Sequence, residues 1–387
     1  KTVAPVIGLV DCAGMRLQEA TDALYGFGEV YMAQAMASGV IPQITAIFGT
    51  CGGGMALIPA LTDFTFMEEK KGKLFVNSPN ALDGNIASKC DTAAAKFQSE
   101  ETGLVDGVGT EADILAQIRA LVGMLPANNE DEAYTECTDN LNRACPDLAN
   151  CAGDTGILLS QISDNGVVFE TKKNYAKDMV TAFIRLNGAT IGAVANRSEI
   201  YGTDGTLEET FDGTLSAKGA KKAAAFVKFC DAFGIPVLTI TNVKGFKATK
   251  CSEKFMAQNV AELTYAFADA TVPKVNVVVG QAYGSAYLAM NSKSIGADMV
   301  FAWPNAEIGM MDAKAAAKIM YADEDLATIN EKAAEYATLQ NNVTSAARRG
   351  YVDTIIEPED TRKYVIGAFE MLYSKREDRP DRKHGTV

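Results

Sequence analysis

The chain has 387 residues, 48% hydrophobic and 22% charged, the balance of an ordinary globular protein with length for two domains that each bury a core. Its net charge of -13 argues against a sequence-independent grip on nucleic acid, which needs a surplus of Lys and Arg. No apolar run reaches the ~20 residues of a membrane span and the start lacks the basic-then-apolar order of a signal peptide, so a cytoplasmic location is expected.

The chain opens KTVAPVIGLVDC, with Lys in place of Met and a strand-like run almost at once, which predicts a start inside a domain. The next β-branched run, IPQITAIFGTCGGGMA from Ile41, ends in three consecutive glycines, Gly52, Gly53 and Gly54. Residues 125–154 are polar, acidic and aperiodic and read as a linker. Cys137, Cys145 and Cys151 fall in it without CxxC spacing, and reduced structural thiols explain them better than a metal site. Residues 200–219, rich in Gly, Thr and acids, read as a surface loop. In KKAAAFVKFCDAFGIPV, Phe226, Phe229, Cys230 and Phe233 share one helix face, and the helix should stop at Gly234 ahead of Pro236. The strand runs IPVLTITNVKGF and VPKVNVVVGQAYGSAY follow, and YSKREDRPDRKHGTV reads as a charged, flexible end.

These runs contain an internal repeat. APVIGLVDCAGM ends its strand at Gly14 and IPVLTITNVKGF ends its own at Gly245, an offset of 231 residues. IPQITAIFGTCGGGMA and VPKVNVVVGQAYGSAY match at the same offset, with Pro42 on Pro273, Gly49 on Gly280 and Gly53 on Gly284. Two pairs at one offset identify two copies of one domain. Strands alternating with helical patterns make both copies α/β with parallel sheets.

Each glycine cluster sits where a buried strand gives way to a helix, whose first N–H groups have no internal partner. Glycine lets another molecule approach those amides, to be held as a phosphate or a developing oxyanion, or it merely permits close helix–strand packing. Neither GTCGGGMA nor GQAYGSAY carries a Walker Lys-Ser/Thr pair or a GxGxxG pattern. A hydrolase with Ser285 as nucleophile needs a base, and the only histidine is His384 in the tail. Recurrence of the motif at equivalent places favours function over packing alone.

The residues resemble a known family. DCAGMRLQEATDAL is similar to DSGGARIQEG, and GTCGGGMALIPALTDFTFM to GPCAGGAVYSPAMTDFIFM, of the carboxyltransferase subunits of biotin-dependent acyl-CoA carboxylases and decarboxylases. KAAAFVKFCDAFGIPVLTI, GQAYGSAYLAMNSKSIGADMVFAWPNAEIGMM, ARRGYVDTIIEPEDTRKYV and KREDRPDRKHG continue the likeness in the family's order, over essentially the whole chain.

The resemblance implies two tandem crotonase-like (ββα spiral) domains, the first truncated at its N-terminus: residues 1–124 on the acyl-CoA side, a linker at 125–154, and 155–387 on the biotin side. It implies that CO2 passes between biotin N1 and the α-carbon of a short acyl-CoA of the propionyl/methylmalonyl, acetyl/malonyl or glutaconyl type. Both partners then pass through oxyanions, and biotin itself can move the α-proton. The amides of Gly53 and Gly54, with the Ala13–Gly14 turn and Met55 nearby, would face the thioester. Those of Ser285 and Ala286 would face biotin, with Lys244, Gly245 and Phe246 opposite, Tyr287 among the substrate-binding residues and Leu288 lining the acyl pocket. Leu288 departs from the family's GGAYD, which implies a more apolar acyl group or merely a repacked pocket; Lys244 and Lys247 depart from its DVPGF turn, and either meet an acid on the substrate or the carrier or form a solvated face.

No AMKM-type biotinylation motif occurs, so biotin is expected on a separate carboxyl carrier protein, and no metal is expected. The further partners implied are a biotin carboxylase or a membrane decarboxylase subunit, which would make the chain peripheral to a membrane complex. The assembly implied is a homo-oligomeric ring of dimers with the active site at the dimer interface. Two other readings stay open: a crotonase-type enoyl-CoA hydratase or isomerase, for which Glu19 is the one nearby carboxylate, and a non-catalytic partner of a related subunit.

Overall fold

The computed structural model describes residues 3–12 and 14–380. They form two compact units, one built on the chain up to Tyr134 with Thr171–Ala176 and Ala232–Gly234, the other on Thr135–Glu170, Lys177–Asp231 and the chain from Ile235 onward.

The first unit carries β1 (Val6–Cys12), α1 (Ala20–Ala37), β2 (Gln43–Gly52), α2 (Leu57–Leu61), β3 (Phe64–Glu68), β4 (Lys73–Phe75), α3 (Ala95–Glu100), β5 (Gly107–Gly109) and α4 (Glu111–Val122). Its strands pair in parallel in the order β1-β2-β3-β5, with β4 beside the end of β2. Helix α4 starts on a capping box between Thr110 and Asp113 and buries Ile114, Ile118 and Leu121, one face at helical spacing. Ile47, Met67 and Leu74 centre the core.

The second unit begins with α5 (Thr155–Ile162), β6 (Val168–Thr171) and the antiparallel pair β7 (Met179–Leu186) and β8 (Ala189–Asn196). A small ribbon, β9 (Glu199–Tyr201) and β10 (Leu207–Thr210), precedes α6 (Ala217–Ala232), β11 (Val237–Val243), α7 (Lys250–Asp269), β12 (Lys274–Tyr283) and α8 (Gly284–Ala289). The chain continues through β13 (Met299–Ala302), β14 (Glu307–Gly309), α9 (Ala313–Met320), α10 (Leu326–Tyr336), α11 (Val343–Arg348), β15 (Thr354–Ile355) and α12 (Thr361–Leu372). The sheet order is β15-β13-β12-β11-β8-β7-β6, with β14 beside the end of β12. Cys145 and Leu148, from the polar stretch between the repeats, are buried in its core with Ile240, Val277 and Trp303.

The repeat seen in the sequence is a repeat in hydrogen-bond register. Val6 pairs with Gln43 as Val237 pairs with Lys274, and both ladders continue to a bulge, beyond which Cys12 faces Cys51 and Val243 faces Ala282. Every partner is displaced by the same 231 residues. The bulges are tied alike: Asp11 Oδ1 accepts the Thr50 amide at 3.0 Å, and Asn242 Oδ1 accepts the Gln281 amide at 3.0 Å. Gly49 and Gly280 make room for those side chains, since a Cβ at either would run into the Asp11 carboxylate or the Asn242 amide.

Two sequence expectations change. The stretch 200–219 holds the β9–β10 ribbon and the first turn of α6, because Leu207 to Thr210 find backbone partners on Glu199 to Tyr201. The charged end is anchored as far as it is described: Arg379 donates to the carbonyls of Ala268, Asp269 and Ala270 where α7 ends, and Lys375 pairs with Asp298 at 2.9 Å. A basic side chain at a helix C-terminus meets carbonyls that lack intrahelical partners. The predicted helix face is present, with Phe226, Cys230 and Phe233 buried, although α6 ends at Ala232, two residues early.

Substituting Gly280→Ala sets a methyl 2.6 Å from Asn242 Oδ1, and a loss of about 1–3 kcal/mol is expected by denaturant unfolding. Asp63 Oδ2 accepts the Gln43 amide at 2.8 Å, and burial pushes its carboxyl up to about 6. The native state then holds a proton that the unfolded chain releases, so this group's stabilisation is complete below the ordinary value of 3.8 and is lost as pH rises through about 6. Stability curves of wild type and Asp63→Asn should differ by that downward slope.

Candidate functional site

Both strand bulges feed the same kind of turn. In the first unit β2 ends at Gly52, and a 3-10 turn, Gly53–Ala56, runs on into α2. In the second unit β12 ends at Tyr283 and α8 starts at Gly284. Gly53 and Gly284 each sit at φ +62, a left-handed conformation that disfavours residues with a Cβ. The amides that follow open a helical turn, where the backbone supplies no partner for them. Both helical pieces are short, so the free amides matter more than any helix dipole.

A second glycine lies beside each turn. Gly14 (φ +122) follows β1 and Gly245 (φ +140) follows β11. The pairing of Cys12 with Cys51, and of Val243 with Ala282, holds these turns next to the helical ones. A Cβ on Gly53 or Gly245 would meet nothing within 4 Å, so the space beside these backbones is open to another molecule.

The surroundings of the first turn carry little acid–base chemistry. A Cβ on Gly54 would lie 3.0 Å from Tyr31 Oη, 3.3 Å from Met15 Cε and 3.7 Å from Phe27 Cδ1. Tyr31 donates its hydroxyl to the Gly54 carbonyl at 2.6 Å, and partial burial raises its pKa, so it is no base near neutral pH. Glu19 is exposed, paired with Arg16 at 3.5 Å.

The second turn opens on a cavity of about 520 Å³ lined by Ser285, Tyr287, Leu288, Met310, Gln340 and Arg349 among others. Tyr287 is buried, and burial pushes its phenol up to about 12, whereas Leu288 is 42% exposed and free to meet a ligand. Tyr283 donates its hydroxyl to Glu307, tying the end of β12 to β14, and burial followed by that bond raises its pKa. Lys244 and Lys247 lie over the 212–214 turn: the Lys244 amide donates to the Gly213 carbonyl at 3.0 Å, and Lys247 Nζ is 3.9 Å from Asp212.

The carboxyl transferase domain family matches residues 1–387. The chain belongs to the carboxyl transferase family. It is 38% identical to the methylmalonyl-CoA decarboxylase subunit alpha of Propionigenium modestum over 406 residues, covering 100% of this chain and 77% of the relative. It is 39% identical to a putative propionyl-CoA carboxylase beta chain of Bacillus subtilis, covering 100% and 77%. Among solved structures it superposes on transcarboxylase 12S, a hexamer described with hydrolysed methylmalonyl-coenzyme A bound, with a TM-score of 0.92 and 35% identity, covering 100% of this chain and 76% of that one. The chain is thus a carboxyltransferase enzyme with a duplicated crotonase-like fold.

In this carboxyltransferase the predicted residues form two separate groups. Gly14, Gly53, Gly54 and Met55 come together in the first unit. Ser285, Ala286, Tyr287 and Leu288 follow one another on α8 in the second, with the Lys244–Phe246 turn beside the strand end and outside the cavity lining. Ala13 and His384 lie outside the described residues. Tyr31, Phe27, Met310, Gln340 and Arg349 escaped the sequence reading, because each reaches its turn from an element distant in sequence. Met310 and Arg349 did stand inside family-like segments, GADMVFAWPNAEIGMM and ARRGYVD, a signal for the segment but not for the residue.

Gly53→Ala and Gly284→Ala should each cut carboxyl transfer by about 10²-fold or more while the circular-dichroism spectrum stays native, as expected when oxyanion-hole amides are displaced. For Gly284 the new methyl also falls 3.1 Å from the Met310 carbonyl.

Proposed function

We propose that the chain moves CO2 between biotin on a separate carrier protein and the α-carbon of a short acyl-CoA, with propionyl-/methylmalonyl-CoA the first candidate pair. One observation carries the reading: two glycine turns with the same φ, at the ends of strands in the same register, each opening a helical turn whose first amides have no intrahelical partner. A reaction with two carbonyl partners needs two such places.

On this reading the units divide the work. Residues 1–124 take the acyl-CoA, residues 155–387 take biotin, and 125–154 join them. The amides of Gly53 and Gly54 receive the thioester oxygen and stabilise the charge that grows there as the α-carbon becomes nucleophilic. Tyr31 donates its hydroxyl to the Gly54 carbonyl and so holds the Gly54–Met55 peptide, the one that follows the donor amides.

The residues of the second turn fit the ureido end of biotin. Gly245 leaves its backbone open, Ser285 stands exposed at the head of α8, and Tyr287 and Leu288 offer an apolar wall. Biotin, when bound, supplies or removes the CO2 unit. The protein's part is to hold the ureido oxygen on the Ser285 and Ala286 amides and to keep the ring against Leu288.

The hydratase reading is weaker, because it needs carboxylates aimed at the substrate and Glu19 is exposed and engaged by Arg16. Supporting the complex partners are the names of the relatives, a decarboxylase subunit alpha and a carboxylase beta chain, and the hexameric transcarboxylase. We infer that this chain also assembles as a homo-oligomer and serves a biotin carboxylase or a decarboxylase complex. Among the described residues no helix is long and apolar enough to cross a membrane.

The complete polypeptide, mixed with a biotinylated carrier and labelled methylmalonyl-CoA, should pass label to the carrier, and propionyl-CoA should appear in proportion. No label on the carrier with any short carboxylated acyl-CoA would sink the proposal. Propionyl-CoA that forms at the same rate without carrier would show that biotin is not the acceptor and would overturn the proposal as well.

A further inference from the structure

The cavity beside Ser285 has an electrostatic feature that the oxyanion turns leave unexplained. Its lining contains two cations, Lys293 and Arg349, and no Asp or Glu. Lys293 is neutralised, with its Nζ 2.8 and 2.9 Å from the two carboxylate oxygens of Asp353 and 3.0 Å from the Asp298 carbonyl. Arg349 is not: its guanidinium donates to Ser345 Oγ at 2.8 Å and Gln340 Oε1 at 3.2 Å, both neutral, and has no carboxylate partner among the described residues. The chain carries 49 acidic residues against 36 basic ones, so an acid-free cavity with one uncompensated cation runs against its surface composition.

Arg349 is also positioned. It caps α11, while Gln340 comes from a wide π turn, Ala337–Asn341, that ends α10. That turn is seated by Asn341, whose Nδ2 donates to the Met311 carbonyl at 2.9 Å and whose buried Oδ1, without a hydrogen-bond partner among the described residues, fills the space where Gly309 lacks a Cβ. Gly309 and Met310 line the same cavity. The chain from β14 through the π turn to Arg349 therefore sets a guanidinium at the cavity with two of its five N–H donors engaged. Such π turns occur often at functional sites, and a guanidinium fork matches a carboxylate bidentately.

We propose that Arg349 binds the carboxylate of the CO2 unit while that unit is carried on biotin, and so lets the cavity tell carboxylated from uncarboxylated biotin. This rests on the reading of the second turn as the biotin side. Ser285 and Ala286 recognise the ureido oxygen, present in both forms, and Arg349 recognises the group present in only one.

The test is direct binding of two neutral-chain probes by calorimetry: biotinamide, and its N1-carboxymethyl derivative as a stable stand-in for the carboxylated ring. The wild-type protein should bind the carboxymethyl probe at least 10-fold more tightly. Arg349→Gln should abolish that preference and leave biotinamide affinity unchanged, and Arg349→Lys should retain part of it. Arg349 is exposed, so neither change threatens folding. A preference that survives in Arg349→Gln overturns the proposal. So does a variant that weakens methylmalonyl-CoA while both biotin probes bind as before, since the carboxylate would then belong to the acyl substrate. Equal binding of the probes by a wild-type protein that still moves CO2 to its carrier removes the role of Arg349 and leaves the function standing. Binding of neither probe removes the biotin reading of this cavity and the role of Arg349 with it.

Discussion

The structure depends on how a parallel strand pair is brought to an end. In each unit a side chain at the end of one strand, Asp11 or Asn242, reaches across and takes a backbone amide of its neighbour, and a glycine on the neighbour leaves room for it. An amide among the extra residues of the bulge is thereby satisfied, the strand turns, and Gly53 or Gly284 enters the left-handed conformation that starts the helical turn. Without this tie, the amides of residues 53–54 and 285–286 would have no fixed direction. Pre-set direction is what gives an oxyanion hole its effect, because the donors need not reorganise as charge develops.

The two copies share this frame and differ in dressing. Asp11 is a carboxylate at an exposed strand end, while the equivalent Asn242 is neutral and its own amide donates to Asn196 Oδ1 at 3.1 Å. Asp63 holds the start of β2 with its carboxyl pushed up by burial, while the equivalent Asp298 holds the start of β12 and pairs with Lys375. The first turn is flanked on its Gly54 side by Tyr31, Met15 and Phe27, whereas the second opens on a cavity with a guanidinium at its edge. A shared backbone device with unlike surroundings is what a reaction between two unlike carbonyl compounds calls for.

Much of this was legible in the chain. The offset of 231 residues predicted a duplication, and the strand registers repeat at that offset pair by pair. The glycines at 53 and 284 could be picked out because a strand-to-helix turn with a left-handed residue leaves a compositional mark. Residues 200–219 read as a loop because Gly202, Gly205 and Gly213 and the acids between them interrupt any strand pattern, and the two short strands of the ribbon depend on each other's backbone for order. The charge density of the tail suggests solvent and flexibility, yet Arg379 and Lys375 are held by carbonyls and a carboxylate far away in sequence.

The sequence by itself determined the alternation of strand and helix, the duplication, and the positions of the glycine turns, because these follow from local periodicity and from backbone conformations that only glycine adopts readily. Only the tertiary structure decided what stands around each turn. Tyr31 meets Gly54 across 23 residues, and Arg349 joins the cavity of Ser285 through a π turn seated on Gly309. Such neighbours are chosen by packing of elements remote in the chain, and no local pattern of residues encodes them.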